Sequence, residues 1–352
     1  MKKKTEWLSH AECSALRGLA IIGIVLHNYC HWLDKAVKEN EYQFNIGNSR
    51  RLWQALMHPD GLLPVDLVSY FGHYGVPVFV FLSGYGLVLK YEQSGGGLPA
   101  WPFLKRQYTK LFGMMIFGLA AFMIFDAITP GSFPYHAGNI IAQLTMTINF
   151  LPYPNSIIWP GPYWFFGLMM QYYIVWRLFI FRRHWRVMAA MVAVCWMAQA
   201  VCEPDGWALN QLRYNCIGNM MPFCAGVMLA RIQPKDAICR LRHCHWAALA
   251  VASAAIVTGA CFWFHTWLWA PAAVIFCAIA TVKALPAMAA KGLAWVGGIS
   301  AALFVTHPIL RKAFIGISRQ GDTYDGIVIY AVTALAVAYL FNRLIITRKQ
   351  PQ

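Results

Sequence analysis

Long apolar runs recur along the whole chain and are separated by short polar segments. A helix needs about 20 residues to cross the hydrocarbon layer of a membrane. Runs near this length lie at 14–33, 73–91, 110–128, 162–181, 187–202, 211–230, 245–263, 266–282, 293–310 and 325–342. The stretch 139–151 is shorter and is a candidate interfacial or re-entrant segment. The pattern predicts an all-α, polytopic integral membrane protein with about ten transmembrane helices.

Composition agrees with a membrane location. Of the 352 residues, 59% are apolar and 12% are charged, whereas soluble domains carry about 25% charged residues. The glycines at 95–97 indicate a short loop, but no linker or repeat divides the chain, so we predict a single domain over residues 1–352. The first apolar run extends to Trp32 without a small-residue cleavage site, which favours a retained helix over a signal peptide.

Lysine and arginine give the orientation. If the N-terminus is cytoplasmic, 21 of the 29 basic residues fall on the cytoplasmic side and 8 on the other side. Cytoplasmic loops carry such an excess, so we predict that both termini are cytoplasmic. The same distribution explains the net charge of +15, because the cations lie at the ends of apolar runs. We therefore expect no nucleic-acid partner.

The ten cysteines indicate no metal site. None forms a CxxC pair, and Cys239 and Cys244 have no second pair to complete a zinc site. Most lie in apolar runs, where a thiol packs as a small apolar group. We expect no bound metal.

Polar residues inside apolar runs are the candidates for chemistry, because they are costly in a membrane. Arg17 and His27 lie on the first run, about 15 Å apart along a helix axis, and His31 follows His27 by one turn. A snorkelling arginine and a core histidine are the alternative interpretation. In the predicted topology His27 and His307 both lie in the outer half, while Arg17 lies near the cytoplasmic basic residues Lys105, Arg106 and Lys110.

Acidic residues are missing from the middle of every run. Asp34, Asp66 and Asp126 lie at or beyond the outer ends, so histidine is the only plausible base within the membrane near neutral pH. The chain has no P-loop, no GxGxxG turn and no GxSxG elbow.

Several of these segments together resemble the acyltransferase 3 family of bacterial inner-membrane proteins. The matching pieces are Leu16-Arg17-Gly18-Leu19-Ala20 with His27, Gly75-Val76-Pro77-Val78-Phe79 through Ser83-Gly84-Tyr85, Phe103-Leu104-Lys105-Arg106 with Lys110, Trp164 with Gln171 and Tyr173, and Ser300 with His307-Pro308. Each motif alone is weak evidence for the family, but the motifs follow one another in the family's order and extend over residues 10–342.

The resemblance implies roles for the matching positions. His27 would be the catalytic histidine, and Arg17 the basic residue that works with it and engages the acyl donor. Lys105, Arg106 and Lys110 would hold the phosphates of coenzyme A. Substrate contact or support would come from His31, Ser83, Trp164, Gln171, Tyr173, Ser300 and His307.

Two features depart from the family pattern. Nine residues separate Arg17 from His27 instead of the usual ten, which turns His27 about 80° away on a regular helix. Either a distortion near Gly18 or Gly23 restores the alignment, or His31 shares the work. Met169 and Met170 replace the carboxylates that often precede the fourth-helix glutamine, here Gln171.

The resulting hypothesis is an O-acyltransferase of the bacterial cytoplasmic membrane. It would move an acyl group, most simply acetyl, from cytoplasmic acyl-CoA to a hydroxyl of an envelope glycan or lipid-linked sugar outside. Acyl-CoA is then a substrate, and no cofactor is held permanently. A transporter or flippase for a lipid-linked sugar or small solute is the alternative, although the chain lacks inverted repeats. A purely structural subunit would leave Arg17 and His27 unexplained.

Overall fold

The computed structural model describes residues 6–93, 99–232, 234 and 241–346. These residues form helices and connecting segments, with no β-strand among them. The predicted loop at 95–97 lies outside the described residues. So do Cys239 and the basic residues Lys2, Lys3, Lys4, Lys235, Arg240, Arg348 and Lys349.

Helices coincide with every predicted apolar run. The first seven are α1 (His10–Cys30), α2 (Ile46–Met57), α3 (Leu63–Phe71), α4 (Gly75–Leu87), α5 (Ala100–Ala127), α6 (Ala137–Leu144) and α7 (Trp164–Val175). The others are α8 (Trp185–Ala200), α9 (Trp207–Tyr214), α10 (Met220–Arg231), α11 (His243–Ala260), α12 (Phe264–Trp267), α13 (Ala270–Ala284), α14 (Ala287–Gly298), α15 (Ser300–Arg319) and α16 (Thr323–Phe341). Short 3₁₀ turns cover Gly72–Tyr74, Ile148–Phe150 and Gly161–Tyr163, and π-helical turns extend α4, α7 and α16 over Val88–Gln93, Trp176–Ile180 and Asn342–Ile346.

Several of these helices are long and apolar enough to cross a membrane. In the described part of the chain, five qualify alone: His10–Cys30, Leu63–Gln93, Ala100–Ala127, His243–Ala260 and Thr323–Leu344. The pair α14 and α15 makes a sixth span if it is counted as one bent segment. Three shorter apolar helices, α8, α10 and α13, accompany them. The all-α prediction is confirmed for the described residues, and several of their helices could cross a membrane. The number of ten spans and the cytoplasmic position of both termini stay predictions.

Two predicted runs are interrupted. The run 293–310 divides into α14 and α15, which meet at Ile299 with a bend of 71°. Gly297 and Gly298 precede the bend, and glycine is a poor helix former. The run 211–230 divides into α9 and α10 around a turn, and the Gln171 side chain binds this turn at Asn215 and at the Cys216 amide.

The predicted outer loop 34–72 is partly helical. It contains α2 and α3, and α3 continues through a 3₁₀ turn into α4. Pro64, in the first turn of α3, needs no backbone hydrogen-bond donor there. The segment 31–45 between α1 and α2 has no regular helix and folds back over the end of α1.

The bundle is closed by contact between α1 and α14. A Cβ atom on Gly18 would lie 1.9 Å from the Leu293 carbonyl oxygen, and one on Gly297 would lie 1.8 Å from the Ser14 carbonyl oxygen. Only glycine permits such close approach of two helix backbones, as in other membrane helix pairs. This contact fixes the rotation of α1 about its own axis, and with it the direction in which Arg17, the neighbour of Gly18, leaves the helix.

Burial differs sharply between the centre and the edge of the bundle. In the most apolar window of Leu63–Gln93, 72% of the residues are buried, but in that of α11 only 6% are. The side chains that α11 exposes include Val251 and Ile256. A large exposed apolar surface of this kind is typical of helices that face lipid.

Candidate functional site

A cavity of about 330 Å³ lies between α1, α4, α5, α7 and α15. The residues lining it include most of those that the sequence analysis selected: Arg17, His27, His31, Ser83, Lys110, Trp164, Tyr173 and Ser300. We call the region around Arg17, Lys110 and Tyr173 the Arg17 end. We call the region around His27, His31, Glu39, Glu41 and Arg311 the histidine end.

Helix α1 supplies residues to both ends. It begins with a capping box in which Ser9 and Glu12 bind each other's backbone amides, and it is α-helical throughout His10–Cys30. The expected distortion near Gly18 or Gly23 is therefore absent from this helix. Arg17, His27 and His31 all reach the cavity nonetheless, because its lining covers a broad face of α1.

The Arg17 end carries positive charge without acidic partners. Among the described residues, no carboxylate forms an ion pair with Arg17 or Lys110. Arg17 and Arg106 both act electrostatically on Lys110. Such a group of unpaired cations is suited to binding an anion such as phosphate.

His27 is the central side chain of the histidine end. It is 3% exposed, and its Nδ1 donates a hydrogen bond to the Ser69 carbonyl oxygen at 2.8 Å. A carbonyl oxygen only accepts, so Nδ1 holds the proton and Nε2 keeps its lone pair. Nε2 lies 4.0 Å from Glu39 Oε1 and 3.9 Å from Glu41 Oε2. His27 is therefore oriented to accept a proton at Nε2.

Two carboxylates reach this histidine from the segment 31–45, which corrects the expectation that histidine is the only base available here. They come from a loop that folds inward and not from a span. Long-range hydrogen bonds hold the loop: Arg213 Nε donates to the Glu41 carbonyl oxygen at 2.6 Å, and Trp267 Nε1 donates to that of Asn40 at 3.0 Å. His31 Nδ1 and Glu39 Oε1 are 3.2 Å apart and form an ion pair when His31 is protonated.

The pKa values of the two glutamates are shifted in opposite directions. Burial alone would raise the pKa of Glu39, but the hydrogen bond from His31 and the nearby His27 and His31 lower it well below its usual range. Burial and the charge of Glu39 raise the pKa of Glu41 to about 8. At neutral pH the loop therefore presents one carboxylate and one largely protonated carboxyl to His27.

The same residues could hold a metal ion. His27, His31 and Glu39 each offer one ligand atom, and these atoms lie within 4.8 Å of one another. Two imidazoles and a carboxylate suit Zn²⁺. The present contact between His31 and Glu39 is also explained by an ion pair alone, and the prediction of no metal stays a prediction.

Four selected residues do not line the cavity. Lys105 and Arg106 are exposed on α5, and Gln171 is bound to the turn between α9 and α10. His307 is fully buried, its Nδ1 donating to the Leu303 carbonyl oxygen at 3.0 Å. His307 therefore does not join His27 at the cavity surface.

Ser83 and Trp164 form parts of the cavity wall. The Ser83 hydroxyl donates to the Phe79 carbonyl oxygen at 2.8 Å, within its own helix. The Trp164 ring packs edge-on against Tyr42 at 5.6 Å and Tyr214 at 5.2 Å. These contacts hold the Trp164 ring in the cavity wall, which Glu39 and Glu41 also line.

Four polar residues line the cavity that were not predicted from the sequence: Glu39, Glu41, His73 and Arg311. The polar run Lys38-Glu39-Asn40-Glu41 is typical of a solvated loop and gave no sign of a site. Arg311 follows His307 by one helical turn. Had the predicted run 293–310 been extended by one more helical turn, this spacing would have placed Arg311 inside the bundle.

Comparison with known proteins gives the family. No curated protein and no solved structure matches the chain. The sequence model of an acyltransferase domain, acyltransferase 3, matches residues 11–343, nearly the whole chain. This match confirms the resemblance drawn from the motifs, and the chain belongs to the acyltransferase 3 family.

Proposed function

We propose that the protein is a membrane O-acyltransferase that takes an acyl group, most simply acetyl, from acyl-CoA and delivers it to a sugar hydroxyl of the cell envelope. Family membership supports acyl transfer. The observation that carries the rest is a single cavity with unpaired cations at one end and a histidine–carboxylate group at the other. A thioester donor and a hydroxyl acceptor need these two kinds of site.

The Arg17 end is the proposed donor site. Arg17 and Lys110 attract the phosphates of coenzyme A, and Lys105 and Arg106 extend the positive surface from the cavity onto the exposed part of α5. Tyr173 and Ser83 border the path between the two ends. The acyl group then points along the cavity toward His27.

The histidine end is the proposed acceptor site. His27 Nε2 takes the proton of the sugar hydroxyl while the hydroxyl oxygen attacks the thioester carbonyl carbon. The carbon–sulfur bond breaks, and coenzyme A leaves as the thiolate, which is protonated from His27 or water. The nearby Glu39 carboxylate stabilises the imidazolium that forms during transfer.

The topology follows from the charge count. We place about ten helices across the bacterial cytoplasmic membrane, with both termini and the Arg17 end in contact with the cytoplasm. Acyl-CoA is made in that compartment, and exported glycans or lipid-linked sugars lie on the other side. The partners are then acyl-CoA, the glycan acceptor and the bilayer, without nucleic acid or a permanent cofactor.

Two measurements test the proposal. Purified protein in lipid vesicles should bind radiolabelled acetyl-CoA, whereas a transporter of sugars should ignore it. Mass spectrometry of surface polysaccharides should show acyl groups that disappear on deletion of the gene and return with the intact gene but not with His27→Ala. The absence of both acyl-CoA binding and an acylation difference would reject the function.

A further inference from the structure

A buried arginine at the histidine end has no part in the mechanism above. Arg311 on α15 is 4% exposed and lines the cavity. Its guanidinium carbon lies 4.9 Å from the ring centre of Trp32 and 5.2 Å from that of Trp159. The two indoles also contact each other, with ring centres 5.5 Å apart. The three side chains form one cluster, which we call the Arg311 cluster.

The charge of Arg311 lacks an acidic partner. No carboxylate in the described part of the chain lies within 4.0 Å of its nitrogens. Glu39 contacts His31, and Asp126 pairs with Lys312. A buried ion without a partner is strongly unfavourable, so the cluster needs compensation from outside the chain.

The aromatic rings supply only part of that compensation. Cation–π contact stabilises the face of a guanidinium, but its five N–H donors point outward in the guanidinium plane. Within the described residues one hydrogen bond uses them, from Nη1 to the Asn28 carbonyl oxygen at 3.3 Å. The remaining donors suit a carboxylate or a phosphate, which arginine binds with two parallel hydrogen bonds. Contact with both indoles restricts the movement of the guanidinium and so prepares it for such a ligand.

We propose that the Arg311 cluster binds a negatively charged group of a substrate, and that the enzyme therefore prefers a substrate that is anionic at this end of the cavity. The inference rests on the proposed function and adds the substrate class. The anion lies close to the reacting atoms, because Arg311 lines the same cavity as His27 and Arg311 Nη1 binds the carbonyl oxygen of Asn28, the residue that follows His27.

Two substrates could supply the anion. An acidic sugar acceptor would bring a carboxylate or a phosphate next to the hydroxyl that is acylated. Alternatively, a dicarboxylic acyl donor such as succinyl-CoA would bring a carboxylate on the far end of its acyl group. Both use the same chemistry at Arg311, and matched pairs of ligands distinguish them.

The test is isothermal titration calorimetry on the purified full chain. Methyl glucuronoside and glucose 1-phosphate are compared with neutral methyl glucoside, and succinyl-CoA is compared with acetyl-CoA. We expect at least one anionic ligand to bind roughly tenfold or more tightly than its neutral counterpart, as for other desolvated charge pairs. A preference among the sugars assigns the anion to the acceptor, and a preference between the thioesters assigns it to the donor.

Three variants connect this preference to Arg311. Arg311→Gln should reduce the ratio of affinities to near one, and Arg311→Lys should retain part of it because the charge remains. Lys291→Gln removes an exposed cation of α14 that does not line the cavity and should leave the ratio unchanged. The thermal unfolding of each variant shows whether it is folded.

The outcomes separate this inference from the proposed function. If the intact protein binds every anionic ligand no more tightly than the neutral one, or if Arg311→Gln keeps the preference, the inference is wrong even when acetyl transfer occurs. If the preference exists and depends on Arg311 but no acyl group is transferred from either thioester, the anion site is confirmed and the proposed function is wrong.

Discussion

The two ends of the cavity are built in different ways. At the Arg17 end, Arg17, Lys110 and Tyr173 each come from a helix and lie within or beside an apolar run. At the histidine end, His27 comes from a helix but its carboxylate neighbours come from the loop 31–45, which is held by partners far away in sequence. One end depends on helix packing alone, whereas the other also depends on the folding of a loop.

The electrostatics of the two ends differ as well. The cations of the Arg17 end have no carboxylate partners among the described residues, so their charge is available to a ligand. At the histidine end, imidazoles and carboxylates are within 4.0 Å of each other and can exchange protons. We infer that the first end is organised to bind charge and the second to move a proton.

The largest effect is expected for His27→Ala. Loss of a general base typically lowers the turnover rate by about 10²–10⁴-fold. Acetyl-CoA binding should change little, because the donor phosphates are assigned to the other end. The measurement is the acylation rate of reconstituted protein together with its affinity for acetyl-CoA.

His58→Ala is the matched control, since His58 is an exposed histidine at the end of α2. If His27→Ala retained most of the turnover rate, or if it abolished acetyl-CoA binding, the assignment of donor binding to the Arg17 end and of proton transfer to the histidine end would be wrong.

Arg17→Gln should act on the donor end in the complementary way. A charged hydrogen bond to phosphate contributes about 1.5–3 kcal/mol, so KM for acetyl-CoA should rise by roughly 10- to 100-fold while kcat falls less. Steady-state kinetics with varied acetyl-CoA provides the measurement. Lys291→Gln is the control, because Lys291 is an exposed cation of α14 that does not line the cavity. An unchanged KM in Arg17→Gln would contradict the donor site.

The same contrast explains which parts of the site could be predicted from sequence. Arg17 and His27 interrupt an apolar run, and a polar residue in such a run is conspicuous because a membrane penalises it. The regular helix then places both on the bundle interior once its close contact with α14 is made. Lys110 and Tyr173 could be found in the same way, since their helices are also evident from composition.

The carboxylates could not be predicted because their position depends on contacts that local sequence does not encode. Glu41 is held by Arg213, 172 residues away, and its neighbour Asn40 by Trp267, 227 residues away. His307 was also selected from the sequence, but it does not line the cavity. It interrupts an apolar run just as His27 does, but its Nδ1 is bound within its own helix and its ring packs inside the protein.

Glu39→Gln should have a smaller effect than His27→Ala. It removes the carboxylate that contacts His31 and stabilises a protonated His27, so we expect the turnover rate to fall roughly tenfold, the order of one charged hydrogen bond. Because the pKa of Glu39 is lowered in the folded protein, its carboxylate stabilises the fold above the unfolded value of 4.5, and this contribution is lost as pH falls. The variant should therefore unfold at a lower temperature than the intact protein at pH 7. An unchanged rate and an unchanged unfolding temperature would exclude this role for Glu39.

Glu41→Gln should have the smallest effect on the turnover rate, because Glu41 is largely protonated at neutral pH, and its effect on stability should have the opposite sign to that of Glu39→Gln. Folding raises the pKa of Glu41 from 4.5 to about 8, so the folded protein keeps a proton that the unfolded chain has lost. Stability should therefore fall as pH rises from about 4.5 to about 8, by an upper limit of the order of 5 kcal/mol. Glutamine resembles the protonated carboxyl and cannot ionise, so the unfolding temperature of Glu41→Gln should exceed that of the intact protein by a margin that grows from about pH 5 to about pH 8 and then levels off. If the difference were constant with pH, or if it matched that of Glu39→Gln, the two glutamates would not hold opposite protonation states beside His27.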